Sequence, residues 1–555
     1  MKLAALLVGL DGACVVGDAA TDVCEVRDDS RAVRPGDLFV AVPGVAADGR
    51  KFISDALTRG ATVIVEEKSS PADGPPARSA TEGSAVAPGV TVVTVPSSRH
   101  ALAVIAANRF ATGRALTLSA VTGTNGKTTT TYLMEAILGA AGIRAGVVGT
   151  ITYRLTGGQS GLSRAAPLTT PGALALHALF AEMQAAGASD VVLEASSHAL
   201  AQGRLDGCRF RVAGLTNLTQ DHLDFHGSMD AYLDAKAILF ERLLDPAGGV
   251  AVLPVDLAAG RAMRARVLAG GGGRVVLGIA STPGERTPGA DVVVESATLS
   301  ADGLHARLAT PLGPLALASP LVGDYNLANI VLAVGMAIAR GADAASIVAG
   351  VERLQGVPGR LERVSNGAGV LCVVDYAHTP DALERTQATV RPLVGPGGRL
   401  VTVFGCGGDR DRTKRPLMGR AAAAGSDLAI VTSDNPRGED PQAIIDMILE
   451  GLAADHFPRL QTATAPTPTL ATAHRTPGGF LVCPDRRVAI RTAVDLSRPG
   501  DVLLIAGKGH EDYQIIGTDR IHFDDREEAA NAFAAKVGSV GSVGSVGGTA
   551  GASGA

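Results

Sequence analysis

Seven times along this chain, a short apolar run that reads as a buried strand ends directly in a dense polar cluster. LSAV leads into TGTNGKT, DVVL into EASSH, VAGL into TNLTQDH, LCVV into DYAH, VTVF into GCGGDRD, AIVT into SDNPR and LLIA into GKGHE. Near-continuous apolar strands alternating with helical stretches imply an α/β fold with parallel sheets covered by helices. In such sheets ligands bind beyond the carboxyl ends of the strands. The clusters are therefore predicted to line two facing clefts, with the chemistry between a second and a third domain.

At 555 residues the chain is too long for a single core, and three domains are expected. The first, over 1–112, is a small α/β domain with strands around 37–42 and 61–67, interrupted by a Pro, Ser and Gly-rich insert over 69–89 that reads as a surface loop. The central domain, over 113–357, carries a phosphate-loop, ATPase-like parallel sheet. A Rossmann-like domain follows over 358–536. The repeat GSVGSVGSVGGTAGASGA in the tail over 537–555 has too little large apolar surface to offset the entropy of ordering, so the tail is expected to be disordered.

Composition excludes several classes. A net charge of -5 without a block of Lys or Arg lacks the electrostatic footprint of a nucleic-acid binder. No uncharged apolar run is long enough to span a membrane. The opening MKLAALLVGL resembles an export signal, but Asp11 interrupts it early. Six cysteines (Cys14, Cys24, Cys208, Cys372, Cys406 and Cys483) are scattered without metal-ligand spacing, which fits free thiols in a reducing cytoplasm.

The first cluster carries the sharpest chemistry. In Gly123-Thr124-Asn125-Gly126-Lys127-Thr128-Thr129 the glycines free backbone amides to face phosphate oxygens, the lysine reaches the terminal phosphates and the hydroxyl can hold Mg²⁺. A strand before it and a helical run predicted over 128–141 complete the setting. Val121 stands where the common phosphate loop has its first glycine. A nucleoside triphosphate is the natural guest, but such a loop does not choose the reaction. An ATPase that switches a partner protein remains open at this point.

TGTNGKTTT, taken with EASSH, NLTQDHLDFHG and GDYNLANI, resembles the Mur ligases and their folate-polyglutamating relatives over nearly the whole chain apart from the insert and tail. The resemblance implies a UDP-binding first domain, ATP as co-substrate, Mg²⁺, and an ADP-forming reaction. In it a carboxylate attacks the γ-phosphate and an amine displaces the resulting acyl phosphate. Two anions must then approach, and Lys127 with Mg²⁺ held by Thr128 would neutralise them. Glu194 and His222 match the family's further metal ligands; the alternatives are an exposed strand-end carboxylate and a loop histidine bonded to backbone. Lys236, in a helical run predicted over 229–244, matches a lysine that takes up CO₂ as a carbamate and helps to hold a second Mg²⁺. A partly buried amine loses its proton more easily, whereas a surface lysine is the bland alternative.

By the same resemblance, Asn326, Arg360 and Asp375 join the phosphate loop as nucleotide-binding positions, with Asn329 and His378 among nucleotide-contacting and domain-coupling ones. Ser30, Thr169, Thr170, Ser196, Gln202 and Arg204 match residues that hold a UDP-sugar dipeptide, although single hydroxyl residues in loops are usually turn formers or caps. Segments 29–31, 47–50, 196–204 and 434–437 (DSR, ADGR, SSHALAQGR and DNPR) narrow the match to the branch adding the third stem-peptide residue.

Arg410, Asp434, Asn435, Pro436, Arg437, Gly507 and Glu511 match the site for diaminopimelate, which differs from lysine by one carboxylate and its stereocentre. Lysine-adding relatives lack the arginine that ends DNPR, and a guanidinium can grip a carboxylate through two parallel bonds. The expected function is ligation of diaminopimelate to the D-glutamyl γ-carboxylate of UDP-N-acetylmuramoyl-L-alanyl-D-glutamate, by a cytoplasmic monomer acting on small molecules. The meso and LL isomers are not distinguished. A folylpolyglutamate synthetase would have no use for the first domain or for DNPR, and a pseudoenzyme binding UDP-sugars would not need the intact loop and lysine.

Overall fold

The computed structural model describes residues 1–44, 48–68, 89–111, 116–155, 162–460 and 478–543. The insert expected over 69–89 lies outside these except for Gly89, as do Ala47 of the ADGR segment and the end of the tail. The chain divides into two compact units. The first comprises Met1–Ala297, Ala306–Ala318 and Leu327–Arg353, and the second Thr298–His305, Ser319–Asn326 and the residues from Leu354 onward.

Three main sheets are formed, and the first and most of the second fall in the first unit. The N-terminal sheet orders its strands Cys14–Val16, Thr91–Val95, Val63–Glu67, Leu38–Val40, Val26–Arg27. All pairs are parallel except that of the first strand. Leu3 and Leu6, from the run that resembled an export signal, are buried in this domain's core beside Val40, Val63 and Val93.

In the central sheet the parallel strands run in the order Val292–Ser300, Val275–Ala280, Val250–Pro254, Val212–Leu215, Thr117–Thr122, Asp190–Glu194, Ala145–Val148. Strand Thr117–Thr122 thus has Asp190–Glu194 on one side and Val212–Leu215 on the other. Its phosphate loop, the EASSH cluster and the TNLTQDH cluster consequently emerge side by side from three adjacent strand ends. The strands are buried on both faces, as their unbroken apolar runs require.

In the second unit, strands Leu371–Asp375, Val502–Ala506, Leu400–Phe404, Leu428–Val431 and Gly479–Val482 form a parallel sheet in that order, with Glu362–Val364 antiparallel at one edge. The DYAH, GKGHE, GCGGDRD and SDNPR clusters leave neighbouring strand ends. All seven polar clusters therefore sit where the alternation of apolar runs placed them.

The helical run expected over 229–244 is a regular α-helix through Met229–Ile238 and widens into a π turn over Leu239–Leu243. One expectation needs correction. The tail was expected to begin at 537, yet the closing helix spans Asp525–Val543. That helix is acidic in its first turn at Asp525, Glu527 and Glu528, which favours its positive N-terminal end, and its backbone bonding carries it past Lys536. Among the described residues no helix is long and apolar enough to cross a membrane. All six cysteines are free, and burial pushes the Cys208 and Cys406 thiols up to about 12, leaving them poor nucleophiles.

Candidate active site

The phosphate loop is shaped by two glycines that no other residue replaces without strain. Gly123 has φ +139° and Gly126 φ +88°, and a Cβ on Gly126 would stand 2.1 Å from Asn329 Oδ1. Asn329 is thereby placed against the loop. Helix Lys127–Ala140 starts at once with four threonines, poor helix formers as a group. The Thr130 hydroxyl donates to Gly126 O (2.9 Å) and that of Thr131 to Thr128 O (2.8 Å), so part of their polar demand is met inside the helix. The loop is stapled to the neighbouring cluster: Asn125 N–H donates to Asn217 Oδ1 (3.1 Å) and the Thr124 hydroxyl to Thr219 O (3.1 Å).

Two lysine nitrogens converge on one carbonyl. Lys127 Nζ donates to Gly123 O (2.9 Å) and Thr124 O (2.8 Å), and Lys236 Nζ donates to the same Gly123 O (2.9 Å). Lys236 is only 1 % exposed and sits 4.1 Å from the centre of the Tyr232 ring. Burial, reinforced by the Lys127 ammonium, holds its amine well below the usual lysine range. The surface-lysine alternative is excluded.

Glu194 is also 1 % exposed, which removes the strand-end alternative. Its carboxylate accepts from the Thr128 hydroxyl (3.1 Å), the Thr150 amide (2.9 Å) and the Thr150 hydroxyl (2.9 Å). Thr150, which sequence reasoning missed, thus orients the carboxylate beside the loop. A Cβ on Gly149 would lie 2.3 Å from Glu194 Oε1, so the backbone there passes too close for any side chain. The signal for Thr150 was available, since it follows the apolar strand Ala145–Val148 just as the seven clusters follow theirs.

The substrate-side residues converge in part. The Thr170 hydroxyl donates to Glu194 O (2.7 Å) and lies 3.1 Å from Ser196 Oγ, and Thr169 bonds the Thr150 hydroxyl (3.1 Å). Arg204 donates to Thr170 O (2.8 Å) and, through two nitrogens, to Gln202 Oε1 (2.7 and 3.1 Å). Ser196 caps helix Ser197–Ala201, so the bland role of a loop hydroxyl is present too. Gln202 also lines a cavity of about 410 Å³ with Arg99, His100, Asp206 and Arg242. Ser30 is buried in the first sheet's domain and bonds Asp55.

His222 lies in the TNLTQDH cluster, after the strand Val212–Leu215. Its ring lies 3.3 Å from Asp221 Oδ2 and packs edge-on against His198, 4.8 Å between centroids, and its backbone is left-handed at φ +53°. Among the described residues no group of three or more His, Cys, Asp or Glu side chains is disposed to hold a metal. The paired oxygens of Thr128 and Glu194 nevertheless suit a hard cation such as Mg²⁺, which prefers few carboxylates and hydroxyls.

The second unit gathers the other cluster. Lys508, fully buried, donates to Asn435 Oδ1 (3.0 Å) and Asp434 Oδ1 (3.4 Å) and lies 3.8 Å from Glu511. Asn435 Nδ2 donates to Glu511 Oε2 (2.9 Å). Burial is the largest influence on Asp434 and pushes its carboxyl up, but the Lys508 and Arg486 cations together hold it below the usual range. Burial and then Asp434 push Glu511 up.

Arg437 adopts φ +52°, where an arginine is strained, held by Arg437 N–H to Ile515 O (3.1 Å) and Gly517 N–H to Arg437 O (2.8 Å). Its guanidinium donates to Gly408 O (2.9 Å), so it is not a loose surface arginine. A Cβ on Gly408 would meet Pro436 O at 1.8 Å, showing how closely the GCGG and DNPR loops pass. Gly507 (φ +119°) begins the next turn, while Arg410 is exposed.

Other expected nucleotide positions serve the backbone here. Asp375 accepts from Leu361 N–H (2.8 Å) and Ala377 N–H (2.9 Å), Asn326 donates to Val322 O (2.8 Å), and the His378 ring bonds Tyr376 O (2.8 Å). Arg360 lies 5.1 Å from the centre of the Tyr376 ring. Of the six non-glycine residues with left-handed backbone among the described residues, His222, Leu361, Asp409 and Arg437 fall in or beside expected site segments, the usual place for retained strain.

Strand, glycine loop, helix and buried carboxylate together define an α/β protein that binds a nucleoside triphosphate. Family descriptions match along the chain: "Mur ligase family, catalytic domain" over 24–110, "Mur ligase middle domain" over 121–337, and "Mur ligase, glutamate ligase domain" over 359–509. A relative from Gloeobacter violaceus named UDP-N-acetylmuramoyl-L-alanyl-D-glutamate--2,6-diaminopimelate ligase is 44% identical over 517 residues, covering 93% of this chain and 94% of that one. The protein of the same name from Geobacter metallireducens is 44% identical over 522 residues, covering 93% and 95%. A solved structure under that name is 32% identical, with a TM-score of 0.68 over 97% of this chain and 99% of the other. The chain belongs to the Mur ligase family.

Proposed function

We propose that the chain is the ATP-dependent, ADP-forming ligase that joins diaminopimelate to the D-glutamyl γ-carboxylate of UDP-N-acetylmuramoyl-L-alanyl-D-glutamate in peptidoglycan synthesis. The observation that carries the substrate choice is Arg437, anchored in a strained turn beside Glu511 and Asn435, in a chain 44% identical to relatives of that name over almost its full length.

The chemistry follows from the residues. Attack of one anion on another needs positive charge at the γ-phosphate, and Lys127 supplies it once its ammonium leaves the loop carbonyls for phosphate oxygens. Mg²⁺, which would be held by Thr128 and Glu194 with His222 as a further ligand, would add charge neutralisation there. Thr150 keeps Glu194 oriented through two donated bonds. Lys236, whose ammonium form is disfavoured by burial, is suited once neutral to attack CO₂, forming an N–C bond as the amine proton leaves and the π pair moves to oxygen. The resulting carbamate would place an anion beside Lys127. Thr169, Thr170, Ser196, Gln202 and Arg204 would hold the dipeptide, and Asp434, Asn435, Arg437 and Glu511 the amine. We place this activity in the cytoplasm, in a monomer acting on small molecules.

ADP release is the test, with the UDP-dipeptide as acceptor and meso-diaminopimelate, LL-diaminopimelate, L-lysine or no amine offered in parallel. Turnover that demands one diaminopimelate isomer establishes the reading and names the stereochemistry. Equal ADP release with every amine and with none would replace it by an uncoupled ATPase.

A further inference from the structure

We propose that Lys508 is the positioning residue of the amino-acid site, holding Asp434, Asn435 and Glu511 in the arrangement that receives the ammonium of the incoming amine. The proposal rests on the reading of that site given above. Lys508 lies in the turn after strand Val502–Ala506, is wholly buried, and directs its ammonium at three side chains from two loops: Asn435 at 3.0 Å, Asp434 at 3.4 Å and Glu511 at 3.8 Å. Asn435 completes the arrangement. Its Oδ1 accepts from Lys508 and from Ile515 N–H (3.0 Å), which fixes its amide so that Nδ2 points at Glu511 (2.9 Å).

An ammonium removed from water loses several kcal/mol of hydration unless it is paired, so a lysine kept there only to fill space would be better replaced by an apolar residue. Its value is in what it orders. Asp434 and Glu511 are two carboxylates bridged by one amide, and without a cation between them their repulsion favours a protonated or displaced Glu511. The charged and titratable groups around Glu511 are Asp434, Lys508, Arg437, Arg486, Tyr376 and Tyr513. Asp434 pushes the Glu511 carboxyl up and Lys508 pulls it down. Loss of Lys508 therefore lets Glu511 take a proton at higher pH, and a neutral Glu511 cannot pair with an ammonium. The acid limb of amine use must then move towards higher pH.

The test compares full-length wild type, Lys508→Met and Lys508→Arg by ADP release across about pH 5.5 to 9, at saturating ATP and UDP-dipeptide. Lys508→Met is expected to raise KM for diaminopimelate by about tenfold or more, to leave KM for ATP within about twofold, and to move the acid limb up by about one pH unit. Lys508→Arg keeps the charge and is expected to hold the limb in place while KM rises, because its fork reaches differently. An unchanged limb and amine KM in Lys508→Met would overturn the proposal, as would equal rises in both KM values. If Lys508→Met does not fold, Lys508→Arg decides alone: an unaltered amine KM, or a displaced acid limb, counts against the role. A wild type that uses lysine in place of diaminopimelate would overturn the substrate reading only, and the Lys508 comparison would then be made on KM for lysine.

Discussion

The two candidate sites are both built from loops that leave adjacent parallel strand ends, yet they handle charge in opposite ways. At the phosphate loop the side-chain nitrogens of Lys127 and Lys236 converge on the carbonyl of Gly123, while Glu194 is occupied by hydroxyl and amide donors. Around Lys508 every charge has an opposite within reach, and the cation is shared among Asp434, Asn435 and Glu511. A lysine resting on backbone carbonyls can turn to a polyanion such as a triphosphate. A balanced network suits a zwitterion, whose recognition depends on where each charge sits rather than on the net field.

The largest effect that would break this contrast is at the phosphate loop. Lys127→Ala removes the cation that meets the γ-phosphate, and kcat for ADP formation is expected to fall by about 1,000-fold or more with folding intact. A loss within about tenfold would mean that the Lys127 charge is not catalytic. Next comes the support behind the balanced network. Arg486 and Asp525, both fully buried, pair through two bonds of 2.7 Å, and Arg486 also donates to Ala506 O (3.0 Å) directly before Gly507. Arg486→Met strands a buried carboxylate and is expected to cost about 3–5 kcal/mol in guanidinium unfolding followed in the second unit. The double change with Asp525→Leu should recover much of that loss, because two apolar side chains leave no unpaired charge.

What sequence could and could not reveal divides along the same physical lines. The strand ends were legible because a buried parallel strand must be apolar throughout and its following loop need not be. Thr150 escaped notice because its cluster, GTIT, carries no charge to draw attention, although it follows a strand in the same way. Lys508 was passed over between Gly507 and Glu511, since nothing local says that an ammonium in a glycine turn will be sealed from water. The burial of Lys236 is likewise a tertiary fact: a lysine flanked by alanines reads alike on an open or a covered helix face. Asp375 adds a partner set that sequence does not show: its strand-end carboxylate accepts from the amides of Leu361 and Ala377.

A smaller effect sharpens the second site. Arg437→Ala removes a charge-assisted grip on a carboxylate, and KM for diaminopimelate is expected to rise about 10- to 100-fold while KM for ATP stays within about twofold. The same variant should narrow the preference for diaminopimelate over lysine, because the guanidinium that opposes lysine's ammonium is gone. Equal changes for ATP and amine would mean that the strained turn only props up the sheet.

The smallest effect concerns stability and falls on the first unit. His177, buried in helix Ala173–Ala185 against the Phe180 ring, is held neutral by burial, which brings its pKa from 6.5 down to about 4. The unfolded chain therefore binds a proton between those values that the folded unit does not, so stability is complete above pH 6.5 and declines as pH falls towards 4. From pH 6.5 to 5 this one group accounts for a loss of about 1.5 kcal/mol, by linkage from the two pKa values. His177→Phe should flatten the acid slope of unfolding in the first unit by that amount and leave the slope of the second unit alone. His510, also brought down to about 4 and in the second unit, supplies the internal control, since its contribution must persist in the variant. If both slopes flatten together, the two units do not unfold independently, and their sites cannot be treated as separately supported.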